Sequence, residues 1–198
     1  MCNGRWVREL CRELPIFYGS PVREVRHCAT GVEVQTEQHC FRGDAAVVTV
    51  PLGVLKRGDA ALRFVPPLTE RKAGAIGRLG FGSMNKVGAR CAAPRCAALR
   101  HAFLFYSYTH ISGGALLIAL CSGEAAERLE QRFAGEAAGR VMRVLRAIYE
   151  RRGVEVPPPL QVVTTRWGSD PMAYGAYSSM PVGTQGGADY DTLAESVG

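Results

Sequence analysis

The chain has 198 residues, of which 47% are apolar and 21% charged, the balance of an ordinary globular protein with enough apolar side chains to fill a core. No apolar run approaches the ~20 residues of a spanning helix, which excludes a helical membrane anchor within these residues. The formal net charge of +6 permits contact with nucleic acid or an acidic surface, so the distribution of the charges has to decide.

In chain order, apolar residues at 6, 7, 10, 11 and 14 predict a short amphipathic helix stopped by Pro15. Residues 22–25 read as a brief extended piece, and the alternation in 32–36 with the polar turn after it predicts a hairpin over 32–42. The β-branched run 45–50 reads as a strand covered on both faces, ended by Pro51. Phe64-Val65-Pro66-Pro67 is an extended corner. Thr69 is placed to N-cap a helix over 70–79 closed by Gly80, which Gly74 and Gly77 weaken by about 1 kcal/mol each. Residues 103–108 and 115–121 predict a strand pair across the turn 111–114. Helices follow over 124–133 and 136–152, and a Pro-Pro-Pro connector leads into a strand over 160–165. The stretch 88–102, rich in Ala, Arg and Cys, matches no period.

Arginines 128, 132, 140, 143, 146, 151 and 152 alternate with Glu124, Glu127, Glu130, Glu136 and Glu150, the pattern of a solvated helical face; it does not point to direct nucleic-acid binding. Seven cysteines without a C-x-x-C pair argue against a zinc site or a disulfide framework and for reduced thiols in the cytosol or nucleus. The opening MCNGRWVREL lacks the apolar core of a secretory leader. His27, His39, His101 and His110 have no metal-ligand spacing, so no metal site is expected, and no G-x-S-x-G elbow supports acyl transfer. There is no G-x-G-x-x-G; Gly80-Phe81-Gly82 comes nearest.

Three blocks carry a resemblance. They are NGRWVRELCRELPIFYGSPVREV at the start, VVTVPLGVLKRGDAALRFVPPLTERKAGAIGRLGFGSMNKV over 47–87, and TRWGSDPMAYGAYSSMPVGTQGGADY over 165–190. In wording and order they resemble the flavin-dependent amine oxidases, in particular the plant-type lysine-specific histone demethylases. The resemblance implies an α+β fold: the substrate-binding half, a mixed sheet flanked by helices, plus part of the FAD-binding domain. It implies residues 1–55 as the inner part of the FAD domain, 56–165 as the substrate domain with 88–102 irregular, and 166–198 as a return segment toward the FAD domain. The family's phosphate-binding motifs would lie outside this chain. In the family, NKV continues into an apolar, aromatic-containing strand where 88–102 stands here.

For the site, the resemblance implies Lys86 as the catalytic lysine, hydrogen-bonded to a water beside the flavin N5. It implies cofactor contacts from Val22, Thr49, Val50, Pro51 and Trp167, and a substrate cage walled by Tyr177, with Met172 where some members carry an aromatic. An ammonium at the reacting edge can position water and stabilise negative charge on the reduced ring, and aromatic walls attract a methylated ammonium by about 0.5–2 kcal/mol per contact. The implied activity is FAD-dependent removal of hydride from the C–N bond of a methylated histone lysine, with the imine hydrolysing to formaldehyde and oxygen leaving as hydrogen peroxide. Implied partners are a methylated histone tail or another amine, and chromatin co-repressors, in the nucleus. A polyamine oxidase and a non-catalytic remnant or binding module that lacks autonomous flavin binding remain open alternatives.

Overall fold

The computed structural model describes residues 9–90, 104–131, 134–182 and 187–197. Contacts divide the chain into two compact units, one of residues 1–48, 58–68 and 196–198 and the other of 49–57 and 69–195.

The first unit is a four-stranded sheet. β1 (Val22–Cys28), β2 (Gly31–Thr36) and β3 (Cys40–Gly43) form an antiparallel meander, and β4 (Arg63–Val65) adds to β1 in parallel, in the order β3-β2-β1-β4. The extended piece expected at 22–25 is thus a full strand paired with the expected hairpin. The β2–β3 turn is closed by the buried Thr36, whose Oγ1 donates to the His39 carbonyl at 3.1 Å and accepts from the His39 N–H at 2.9 Å. Val25 and Val32 point to the buried side of this sheet.

The run 45–50 departs from expectation: it is extended, but no described strand pairs with it, and Val47 is 89% exposed. β-Branched side chains favour an extended backbone locally, whereas a ladder and burial require a neighbouring strand that the local sequence does not supply. The helix expected over 6–14 lies mostly outside the described residues; residues 9–10 are helical and 11–13 form a turn.

In the second unit an antiparallel sheet runs in the order β7-β8-β6-β9, with β6 Met84–Arg90, β7 Leu104–Ser107, β8 Leu116–Ser122 and β9 Gln161–Thr164. Strand alternation sends Asn85, Val87 and Ala89 to one face and Lys86, Gly88 and Arg90 to the other. The inward face packs on two helices labelled by their place in the chain, α4 (Glu124–Glu130) and α5 (Ala134–Glu150), through Val87, Ala119, Leu129, Val141 and Leu145. The strand pair expected over 103–121 is β7 and β8, but its connection is a short helix α3 (Thr109–Ser112) ended by Gly113 at φ 67°. The irregular stretch begins inside β6, whose last residues are 88–90; residues 91–103 lie outside the described ones.

Three further helices and a two-stranded ribbon complete the described residues of this unit. α1 (Leu52–Lys56) starts directly after Pro51, and α2 (Glu70–Arg78) is N-capped by Thr69, whose hydroxyl accepts from the Lys72 N–H. α2 stops one residue before the expected end. Leu79 is already extended and buried, and Gly80 opens β5 (Gly80–Gly82), which pairs with β10 (Tyr177–Ser179). A side chain at Gly80 would run into the Ser179 hydroxyl, so strand pairing rather than helix capping explains that glycine. α2 is tied to α6 (Ala188–Ala194): the buried Lys72 Nζ donates to the Leu193 and Glu195 carbonyls at 3.0 and 2.6 Å, and Arg78 pairs with Asp189. A cation on the last carbonyls of a helix satisfies acceptors that have no partner within it.

A Cβ at Gly77 of α2 would meet nothing within 4 Å, so the glycine is not required by packing. Gly77→Ala is expected to stabilise the fold by about 0.8–1 kcal/mol, read as a rise in the urea midpoint without a change in slope.

Candidate active site

The sequence-distant site residues of the second unit meet along the short stretch 82–86. Its backbone runs from β5 into β6, and the segment after β9 folds back across it. At one end, the Lys86 N–H donates to the Thr165 hydroxyl at 2.8 Å while the Thr165 N–H donates to the Lys86 carbonyl at 2.9 Å. In the middle, the Trp167 N–H reaches the Asn85 side-chain oxygen at 3.1 Å. At the far end, the Ala176 N–H donates to the Gly82 carbonyl at 2.9 Å and Tyr177 stands in register with Gly82. The loop is closed on itself by the Gly175 N–H on the Trp167 carbonyl at 2.8 Å.

Lys86 is exposed on the sheet face opposite the helices, where its register neighbours are Leu120 and then Leu104. An ammonium is therefore set in an apolar row without being buried. Trp167 is 42% exposed, Met172 58% and Tyr177 61%. Large apolar side chains held this open within a hydrogen-bonded loop are suited to receiving a ligand. Met172 sits in a turn, its N–H on the Asp170 carboxylate at 2.8 Å.

Pro51 accepts the first backbone bonds of α1 through its carbonyl, from Val54 and Leu55. One turn on, a Cβ at Gly53 would overlap the Ala173 carbonyl and the Phe81 ring, so only glycine lets α1 lie against the loop of Trp167 and Met172. Thr49, Val50 and Pro51 lead directly into this helix, and the contact shown with the loop is made by Gly53. Val22 lies in the other unit, as the first residue of β1 opposite Thr36.

Two residues that hold this arrangement together were not singled out from the sequence. Asn85 is fully buried, and its amide is completely used: Nδ2 donates to Glu130 Oε1 at 2.6 Å and to the Ala126 carbonyl at 3.5 Å, and Oδ1 accepts from the Thr165 hydroxyl at 3.0 Å and from Trp167. Glu130, which the charge pattern assigns to a solvated face, instead turns its carboxylate to the loop. It accepts from the Gly168 N–H at 2.8 Å and from the Ser169 hydroxyl as well as from Asn85. Burial by itself would raise the Glu130 pKa; the hydrogen bonds from Ser169, Asn85 and Gly168 outweigh it and hold the carboxyl below its ordinary value. Sequence alone passes over Glu130; a carboxylate in the last turn of a helix opposes the helix dipole, but that is a weak signal beside the surrounding arginines.

Residues 3–198 match the family model described as flavin containing amine oxidoreductase. The chain is 45% identical over 212 residues to Protein FLOWERING LOCUS D of Arabidopsis thaliana, covering 99% of this chain and 26% of that protein. It is 45% identical over 209 residues to Lysine-specific histone demethylase 1 homolog 1 of Oryza sativa subsp. japonica, covering 98% of this chain and 24% of the relative. The chain thus spans about a quarter of the length of these curated relatives. Among solved structures, wild-type putrescine oxidase bound to putrescine superposes with a TM-score of 0.71 at 20% identity, over 91% of this chain and 41% of that one, a likeness of fold. Cyclohexylamine oxidase from Brevibacterium oxydans superposes with a TM-score of 0.64 at 19% identity, over 87% and 39%. With the mixed α/β fold, the convergence on 82–86 and a family match over nearly every residue, the chain belongs to the flavin-containing amine oxidoreductase family.

Proposed function

We propose that this chain is the substrate-facing part of an FAD-dependent amine oxidase that demethylates methylated lysine on histones in the nucleus. The observation that carries the reading is the meeting of Lys86, Trp167 and Tyr177 along 82–86 in a chain of this family. The substrate class is supported by relatives at 45% identity, among them the rice protein named as a lysine-specific histone demethylase homologue.

The residues present fit the ring end of a flavin. An ammonium and an indole stand open on adjoining backbone, whereas Gly80-Phe81-Gly82 is a paired strand without the helix N-terminus that a dinucleotide phosphate requires. Within the second unit, Lys86, Trp167, Thr49, Val50 and Pro51 would hold the cofactor. When bound, FAD supplies the two-electron acceptor for the substrate C–N bond.

The chain's own side chains would do the rest. Lys86 Nζ, with three donors and no acceptor, would hold a water by its oxygen and leave the water's protons free to move. Such a water would hydrate the product imine, which yields formaldehyde and the demethylated amine. Tyr177 presents a ring face to the methylated ammonium, and Met172 lines the entrance with a polarizable thioether that tolerates variation in shape. Neither group carries a charge that would repel a cation.

Titration of the purified chain with FAD tests the reading. Uptake is expected to give flavin absorbance that stays with the protein through gel filtration, with quenching of its tryptophan fluorescence. A protein that remains colourless at saturating FAD would sink the proposal for this chain by itself.

A further inference from the structure

The clamp formed by Asn85 and Glu130 binds more of the site than any other group among the described residues, yet neither side chain stands with the exposed residues assigned to flavin or amine. Asn85 is adjacent to Lys86 in β6 but points to the opposite, buried face. Its carbonyl oxygen accepts from the Thr165 hydroxyl, which itself accepts from the Lys86 N–H, and from the backbone N–H of Trp167. Its amide hands the load to Glu130, which grips the next two residues, Gly168 and Ser169.

Three independent features indicate that this contact is specified. First, the carboxylate lies in the last residue of α4, where the helix dipole disfavours a negative charge, so its location does not serve the helix. Second, every donor and acceptor of the buried amide has a partner, an uncommon completeness for a side chain with four hydrogen-bonding positions. Third, a Cβ at Gly168 would sit 3.0 and 3.1 Å from the two Glu130 carboxylate oxygens, tighter than ordinary contact. The glycine after Trp167 is what lets the carboxylate close on the loop backbone.

We infer that Asn85 and Glu130 are positioning residues: they fix the backbone of 165–169 against β6 and so set the orientation of the Trp167 indole relative to Lys86. The role toward a flavin rests on the function proposed above, while the fixing of the loop does not depend on it. The indole has no described hydrogen-bond partner of its own, so the backbone clamp is what limits its excursion.

The test uses the chain with Trp6→Phe, which leaves Trp167 as the only indole of the two in the sequence. Glu130→Ala removes the grip on Gly168 and Ser169. Glu130→Gln keeps an acceptor for Asn85 and Gly168, and the Ser169 hydroxyl reverses to accept from the new amide. Glu130→Ala is expected to red-shift Trp167 emission and raise its acrylamide quenching constant, with far-UV dichroism unchanged, while Glu130→Gln stays close to the parent. Identical quenching in all three proteins would overturn the inference, as would a Glu130→Gln variant that behaves like Glu130→Ala.

Ser169→Ala, at an exposed position, gives the same comparison with a smaller rise should Glu130→Ala not fold. In FAD titrations, Glu130→Ala is expected to weaken binding about tenfold, the equivalent of one hydrogen bond to a charged group. A parent that takes up no FAD refutes the proposed function and leaves the fluorescence comparison to decide the clamp.

Discussion

Lys86→Met is expected to lower amine turnover by about a hundredfold or more in the flavin-loaded protein, while the melting temperature moves little. Removing one preorganised donor at a reacting centre costs about 10²–10³ in rate. The side chain is exposed on the open sheet face, and its backbone bonds to Thr165 do not involve the ammonium, so the strand keeps its partners. Methionine preserves the length of the side chain and its apolar stem beside Leu120, its register neighbour. Stopped-flow reduction of the flavin by amine separates this effect from a loss of cofactor, which absorbance reports independently. Should the chain alone take up no flavin, the same substitution made at the aligned position of a full-length relative carries the test. Unchanged turnover there would remove Lys86 from the site.

Asn85→Leu is expected to destabilise the second unit by about 3–5 kcal/mol, the largest stability effect of any single change considered. The leucine has nearly the same size but offers no polar atom. It leaves the part-buried Trp167 N–H and Thr165 hydroxyl without the acceptor that now holds them, each a loss of about 1–2 kcal/mol. It also removes the amide donor from Glu130. The sign for pH follows from the depressed Glu130 carboxyl. Its contribution is fully present above the ordinary carboxylate range and is lost as pH falls through the lowered folded value. With Asn85 gone, the folded value rises, so the variant should lose stability at a higher pH than the parent on acid titration. Urea melts at a series of pH values measure both effects, and a variant within 1 kcal/mol of the parent would show that the amide is not what holds the loop.

Much of the architecture was legible locally. The Thr69 cap, the alternation in 32–36 and the apolar stripe of 136–152 each follow from a short window, because capping, pleat and helical period are properties of neighbouring residues. The run 45–50 shows the limit of that reasoning. Its β-branched residues dictate an extended backbone, but nothing within the window states whether a strand exists to pair with it, and among the described residues none does. Gly80 misled in the same way. A glycine after a helical stretch reads as a cap, whereas here it clears space for Ser179, almost a hundred residues further on.

The candidate site divides along the same line. Lys86, Trp167 and Tyr177 were singled out by motif wording alone, and the fold then placed all three along 82–86. Glu130 was invisible to that reading, because a glutamate among arginines on a helix has the pattern of a solvated face whatever its carboxylate touches. By itself, then, the sequence determined many of the elements, their periods and the resemblance to the family, all of which rest on short-range order and on motifs read in chain order. Only the tertiary structure decided that an asparagine and a glutamate 45 residues apart share a hydrogen bond and together hold the loop of Trp167. Such a partnership depends on where three elements cross in space, and no local window of the sequence encodes that crossing.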